Sequence, residues 1–161
     1  MLVFRVLVRT CTPLPRRWSS SSLRRHEAVR TACANSPQRA GTVHLAEKLL
    51  LDEHVGTLCQ LLRSGEPAAG RIFLERNNIG DTGAKQLACL LEEGSAPGLH
   101  TIRLYMNEIG DEGAAALVRA ALSGAVPKLK MLSLDTNNLS AEGKAALRRQ
   151  CASAPDLSLY L

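Results

Sequence analysis

The sequence predicts an α/β solenoid of about four stacked strand–helix units, with parallel strands on the concave side and helices on the convex side. Three observations carry this expectation. Three segments align without gaps at a constant spacing of 30 residues. Within each segment the apolar residues recur first with the two-residue period of a strand and then with the period of a helix. Aromatic residues make up only 3% of a chain that is 45% hydrophobic. The core must therefore be built from Leu, Ile, Val and Ala, which suits small units that bury their apolar faces against one another.

The aligned segments run Ile72 to Ala84, Ile102 to Ala114 and Leu132 to Lys144. Ile72/Leu74, Ile102/Leu104 and Leu132/Leu134 alternate with other residues and give the strands. Ala84, Leu87, Ala88 and Leu91 recur at i, i+3, i+4, i+7, as do Ala114, Leu117, Val118 and Ala121, and these give the helices. Each helix opens at Gly80, Gly110 or Ser140 with an acid close behind, which opposes the positive end of the helix dipole. Gly94 and Gly124 suit the helix C-termini. Pro97, Pro127 and Pro155 precede the next strands. Gly83, Gly113 and Gly143 recur early in the helices and are expected to permit close helix–sheet approach. A weaker unit lies upstream, with Val43-His44-Leu45 as its strand and Val55, Leu58, Leu61 and Leu62 on its helix. It carries Lys48 where the others carry Asn. Leu157 to Leu161 reads as the opening strand of one more unit.

The pattern Leu99-x-x-Ile102-x-Leu104-x-x-Asn107-x-Ile109-Gly110-Asp111-x-Gly113-Ala114-x-x-Leu117 resembles the leucine-rich repeat of the ribonuclease-inhibitor-like class. Similar repeats occur in NOD-like receptors and Ran GTPase-activating proteins. The resemblance spans residues 43–161 and implies a curved solenoid that binds other proteins on its concave sheet. The column Asn77, Asn107 and Asn137 is expected to be structural. An Asn amide both donates and accepts, so within a turn it can satisfy buried backbone groups.

Because the core leucines alternate with other residues, those others face away from the helices. They form columns: Arg71, Thr101 and Met131; Phe73, Arg103 and Ser133; Glu75, Tyr105 and Asp135; Arg76, Met106 and Thr136. Phe73, Glu75, Arg103, Tyr105, Met106 and Asp135 are the expected partner-binding residues. Tyr and Arg anchor many interfaces, and exposed Met and Phe give adaptable apolar contact. The competing reading is an ordinary solvated sheet face.

Charge divides the chain at about residue 40. Residues 1–40 hold eight arginines and one acid, Glu27, whereas residues 41–161 hold 12 basic and 14 acidic residues. The repeat domain, 41–161, thus lacks the basic stripe that phosphate binding needs, so no nucleic-acid partner is expected. The first segment is Arg-rich, Ser-rich and acid-poor, as mitochondrial leaders are. Arg16-Arg17-Trp18-Ser19-Ser20 resembles a processing-protease site. Mitochondrial localisation is therefore expected, with a disordered tail on a cytoplasmic protein as the alternative. Residues 19–40 hold few large apolar side chains and are expected to form a disordered linker.

The five cysteines are odd in number and form no CxxC pair, so neither a disulfide framework nor a metal site is expected. Cys59, Cys89 and Cys151 fit as small buried hydrophobes. No apolar run approaches the ~20 residues that cross a bilayer. His26, His44, His54 and His100 are scattered in sequence, and no catalytic constellation, phosphate loop or cofactor motif stands out. The function expected is a non-catalytic protein-binding adaptor. The alternatives are a small-GTPase regulator, or a module completing a longer repeat assembly through self-association at the C-terminal edge strand.

Overall fold

The computed structural model describes residues 19–34, 41–65, 69–152, 154 and 156–161. Among these residues five strands form one parallel sheet in sequence order: β1 (Gly41–His44), β2 (Ala69–Phe73), β3 (Thr101–Arg103), β4 (Met131–Ser133) and β5 (Ser158–Tyr160). Helices α2 (Asp52–Arg63), α3 (Asp81–Glu92), α4 (Asp111–Leu122) and α5 (Ala141–Cys151) connect them, and α1 (Ser20–Ala34) precedes β1. Parallel neighbours need such crossovers, and each helix packs on the next. The expected register holds: Arg71, Thr101 and Met131 are level, as are Phe73, Arg103 and Ser133.

The core lies between sheet and helices. Ile72, Leu74, Ile102, Leu104, Leu132 and Leu134 from the strands meet Leu87, Leu91 and Leu117 from the helices, all fully or almost fully buried. Burial of each such side chain stabilises the fold by about 1.5–3 kcal/mol relative to exposure. The weaker first unit follows the same plan, with Val43, Leu45, Val55, Leu58 and Leu62 buried. Gly94 and Gly124 follow α3 and α4 with φ of +64° and +82°, the left-handed conformation that ends a helix.

The asparagines do what their chemistry predicts. The Asn107 amide donates to Leu74 O and Leu104 O at 2.9 and 3.0 Å and accepts from the Ile79 N–H at 3.1 Å. Asn77 and Asn137 repeat this arrangement one unit earlier and later. Each therefore ties its own turn to the turn of the preceding unit. The residue just before each Asn is left-handed: Arg76, Met106 and Thr136 have φ of 55°, 57° and 53°. That conformation costs an L-residue about 1–2 kcal/mol. It persists because the Asn bonds on either side hold the turn.

A second column lies on the helices. Asp81 Oδ1 accepts from the Gly110 and Gly113 N–H groups of the next unit, at 2.7 and 3.0 Å. Asp52 accepts from the Gly80 N–H, and Asp111 from both the N–H and the hydroxyl of Ser140. Each Asp thus caps the helix that follows its own. This corrects the expected role of Gly83, Gly113 and Gly143. A Cβ on Gly113 would stand 2.5 Å from Asp81 Oδ1 and 2.9 Å from Asp81 Cα. The glycines make room for the aspartate of the preceding helix, not for the sheet.

The N-terminal region also differs from expectation. Residues 20–34 are not a disordered linker: they form α1, which packs on α2 and β1. Its buried residues are Ser22, His26, Val29 and Cys33, a narrow stripe at helical spacing. Only Val29 is a strongly hydrophobic member, so an apolar search passes over the stripe. The leader motif through Trp18 and the stretch 35–40 lie outside the described residues.

Candidate functional site

On the sheet face opposite the helices, the level register brings side chains from five strands into rows. His44, Phe73, Arg103, Ser133 and Tyr160 share one row. The Arg103 guanidinium carbon lies 4.5 Å from the centroid of the Phe73 ring. On its other side Phe73 meets His44 edge-on at 4.9 Å. A guanidinium over an aromatic face is an attractive arrangement that fixes both groups. His44 was not among the expected site residues. It lies 29 residues before Phe73, the same offset that relates the first helix to the second, and that offset was its signal.

The ladder continues past the strands. The Arg76 N–H donates to Tyr105 O and the Met106 N–H to Asp135 O. Glu75, Tyr105 and Asp135 therefore stand level in the next row. Tyr105 and Asp135 are half-buried, and Asp135 accepts from the Ser133 hydroxyl at 2.8 Å. Met106 is 44% exposed. Glu75 departs from expectation. It was placed on a solvent-facing column, yet it is only 8% exposed. Its Oε2 is enclosed without a hydrogen-bond partner among the described residues. On the neighbouring rim Arg76 pairs with Glu47 at 2.6 Å, an exposed pair that solvent screens. The face thus joins an aromatic–cation pair, a half-buried tyrosine, an exposed methionine and two carboxylates within three adjacent strands.

A second polar cluster lies between α1 and α2, where two histidines far apart in sequence meet. The His26 and His54 rings are 4.5 Å apart, and both are buried. His26 Nδ1 bonds the Thr57 hydroxyl at 2.7 Å, and the Ser22 hydroxyl donates to Glu53 at 2.7 Å. Burial, with the neighbouring His54, lowers the His26 pKa to about 4. Burial also lowers that of His54, opposed by Glu53. Ligand atoms of His26, Glu53 and His54 lie within 4.8 Å of one another, which raises the question of a metal. The hydrogen bonding argues against one. His54 Nδ1 accepts from the Leu51 N–H at 3.0 Å. In the neutral ring Nε2 then carries the proton and offers no lone pair. A metal-bound histidine has the opposite arrangement, donating from its second nitrogen. The cluster is a polar seam fastening α1.

Cys33 and Cys59 are buried, whereas Cys89 and Cys151 are half-buried. Burial raises the Cys33 thiol pKa to about 11, which keeps it protonated and unreactive. No helix among the described residues is long and apolar enough to cross a membrane.

The family model for the leucine-rich repeat matches residues 74–88 and 99–118, which include Asn77 and Asn107 and the starts of α3 and α4. The fold is that of a leucine-rich-repeat solenoid. Among solved structures, the repeat array resembles leiomodin-1 actin-binding site 2, with a TM-score of 0.68 and 16% sequence identity, over 83% of this chain and 76% of that one. At that identity the likeness speaks for the leucine-rich-repeat fold. No curated protein matched the chain.

Proposed function

We propose that this leucine-rich-repeat chain is a non-catalytic adaptor that binds a protein partner on its open sheet face, through Phe73, Glu75, Arg103, Tyr105, Met106 and Asp135. The observation that carries the reading is the Phe73–Arg103 stack beside half-buried Tyr105 and exposed Met106. Aromatic and Arg side chains on a rigid scaffold lose little entropy on binding and are the usual anchors of interfaces. The helix face is less inviting, because ion pairs such as Arg63–Glu93 and Lys85–Glu112 cross between its helices. The repeat frame, with its asparagines and aspartates, supplies rigidity and no reactive group.

The similarity to an actin-binding site makes actin the first partner to try. The Arg-rich first segment supports a mitochondrial address, with the cytoplasm as the alternative. A small-GTPase regulator fits less well, since it rests on family resemblance alone. Self-association through β5 has one observation behind it, the exposed Tyr160 on the edge strand. Against stacking of a further unit stands Ala141, which occupies the position that Asp52, Asp81 and Asp111 hold in the other units.

The test is a capture experiment with the full chain beside a variant carrying Phe73→Ala, Arg103→Ala and Tyr105→Ala, after both show the same dichroism and melting. Actin or another protein held by the first and lost by the second supports the sheet-face site. Equal capture by both moves binding to the helix face or to β5.

A further inference from the structure

Burying a carboxylate without a hydrogen bond or a counter-charge is costly, so proteins rarely keep one unless it serves something beyond the fold. Glu75 comes close to this. It is 8% exposed, and its Oε2 is enclosed without a hydrogen-bond partner among the described residues, while its other oxygen leaves the carboxylate approachable from the open side. Arg76 attracts it at longer range but bonds Glu47 instead, and Arg103 lies over the Phe73 ring. Glu75 is flanked by Phe73 two residues before it and by Tyr105 level with it on the next unit. Asp135 stands one unit further along the same row. A carboxylate level with Tyr105, with a second acid beyond, can receive a cation. The acid supplies charge and hydrogen-bond acceptors, and the Tyr105 ring supplies cation–π attraction, the Phe73 ring being already covered by Arg103.

We propose that Glu75 receives an Arg or Lys side chain from a basic segment of the partner, seated against Tyr105. The proposal rests on the sheet-face reading above and specifies its chemistry. Side-chain rotation of Tyr105 or Phe73 admits the cation, a common adjustment at interfaces. The enclosed Oε2 lacks a hydrogen bond in the free protein, and the partner's cation supplies one. Stability is thereby given up for recognition at this one position.

The test uses two labelled extended peptides that differ only in charge, alternating Arg-Ser and alternating Glu-Ser, followed by fluorescence anisotropy against the full chain. Glu75→Gln is compared with Glu142→Gln, which removes the same charge from an exposed position on α5. The Arg peptide is expected to bind and the Glu peptide not. Glu75→Gln should weaken binding by about tenfold or more, as truncating a buried charge partner does. Glu142→Gln should leave it unchanged, and Glu75→Gln should melt no lower than the unsubstituted chain. Several results overturn the proposal: no binding of the Arg peptide, equal losses in the two Gln variants, a marked fall in melting temperature for Glu75→Gln, or preference for the Glu peptide. The last would make Arg71 and Arg103 the receptor for an acidic partner. If the triple-alanine variant loses its partner while Glu75→Gln keeps it, the sheet face stands and only the cation site falls.

Discussion

The junction between α3 and α4 and the junction between α1 and α2 join helix to helix by different chemistry. Between α3 and α4, Asp81 caps the next helix through the Gly110 and Gly113 amides, while Asn107 ties the two turns together. The Asp bond to the residue opening the next helix and the Asn ties recur at the neighbouring junctions, so the same residue types recur in columns. Between α1 and α2 there is no such column. Val29 and Cys33 supply the apolar contact, and His26, Thr57, Ser22 and Glu53 supply a polar seam. A periodic junction restricts its residues at each repetition. A capping junction is made once and can be built from whatever fits.

The sharpest way to break this contrast is Asn107→Ala. It strands the Ile79 N–H in a buried turn, while Leu74 O and Leu104 O lose one bond each and keep those from Asn77 and Asn137. An unpaired buried group costs ~1–3 kcal/mol and a lost hydrogen bond ~1 kcal/mol, so a loss of about 3 kcal/mol is expected in denaturant unfolding. A loss near zero would mean that the turns hold without the column. Gly113→Val comes next. Its side chain would press on Asp81 and on the Ala84 Cβ, and overpacking of this kind costs about 1–3 kcal/mol. Melting at an undiminished temperature would show that the α3–α4 junction yields, contrary to the contact geometry.

The smallest effect is expected at the cap, through pH. His26 has its folded-state pKa lowered from 6.5 to about 4, chiefly by burial. The unfolded chain therefore binds the proton more readily, and stability falls as pH drops from about 6.5 to about 4. His54, Glu53 and Thr57 on α2, with Arg30 on α1 itself, are the groups that face or bias this ring. Amide exchange in α1, corrected for intrinsic rates, should quicken relative to α4 over that window, and His26→Leu should flatten the response. A constant α1-to-α4 ratio would rule the seam out as the fastening.

The contrast also explains what could be read from the residues. Three ungapped units at one spacing placed β2 to β4, α3 to α5 and the Asn column, because solenoid packing repeats its demands. The row of Phe73 and Arg103 followed from alternation and register. Helix α1 did not, since its buried stripe holds Ser22, His26 and Cys33 and lacks the apolar signature sought. The Asp column was visible, but its acids read only as partners of their own helix dipoles. That each bonds the following helix is a fact of stacking, which a single unit does not display. The burial of Glu75 was hidden for a similar reason. Alternation told which way the residue points but not how far its neighbours close over it.

The aspartate column gives the array a direction. The α3 and α4 units each present an acceptor forward and receive one from behind, so the joints are not interchangeable. A duplicate of the stretch from Asp81 through Gly110 could be spliced into the middle of the array with both joints matched. The same graft placed after α5 would meet Ala141, a smooth surface where a socket is required. A unit inserted between α3 and α4 thus keeps every such joint bonded, whereas a unit joined to α5 lacks the aspartate bond.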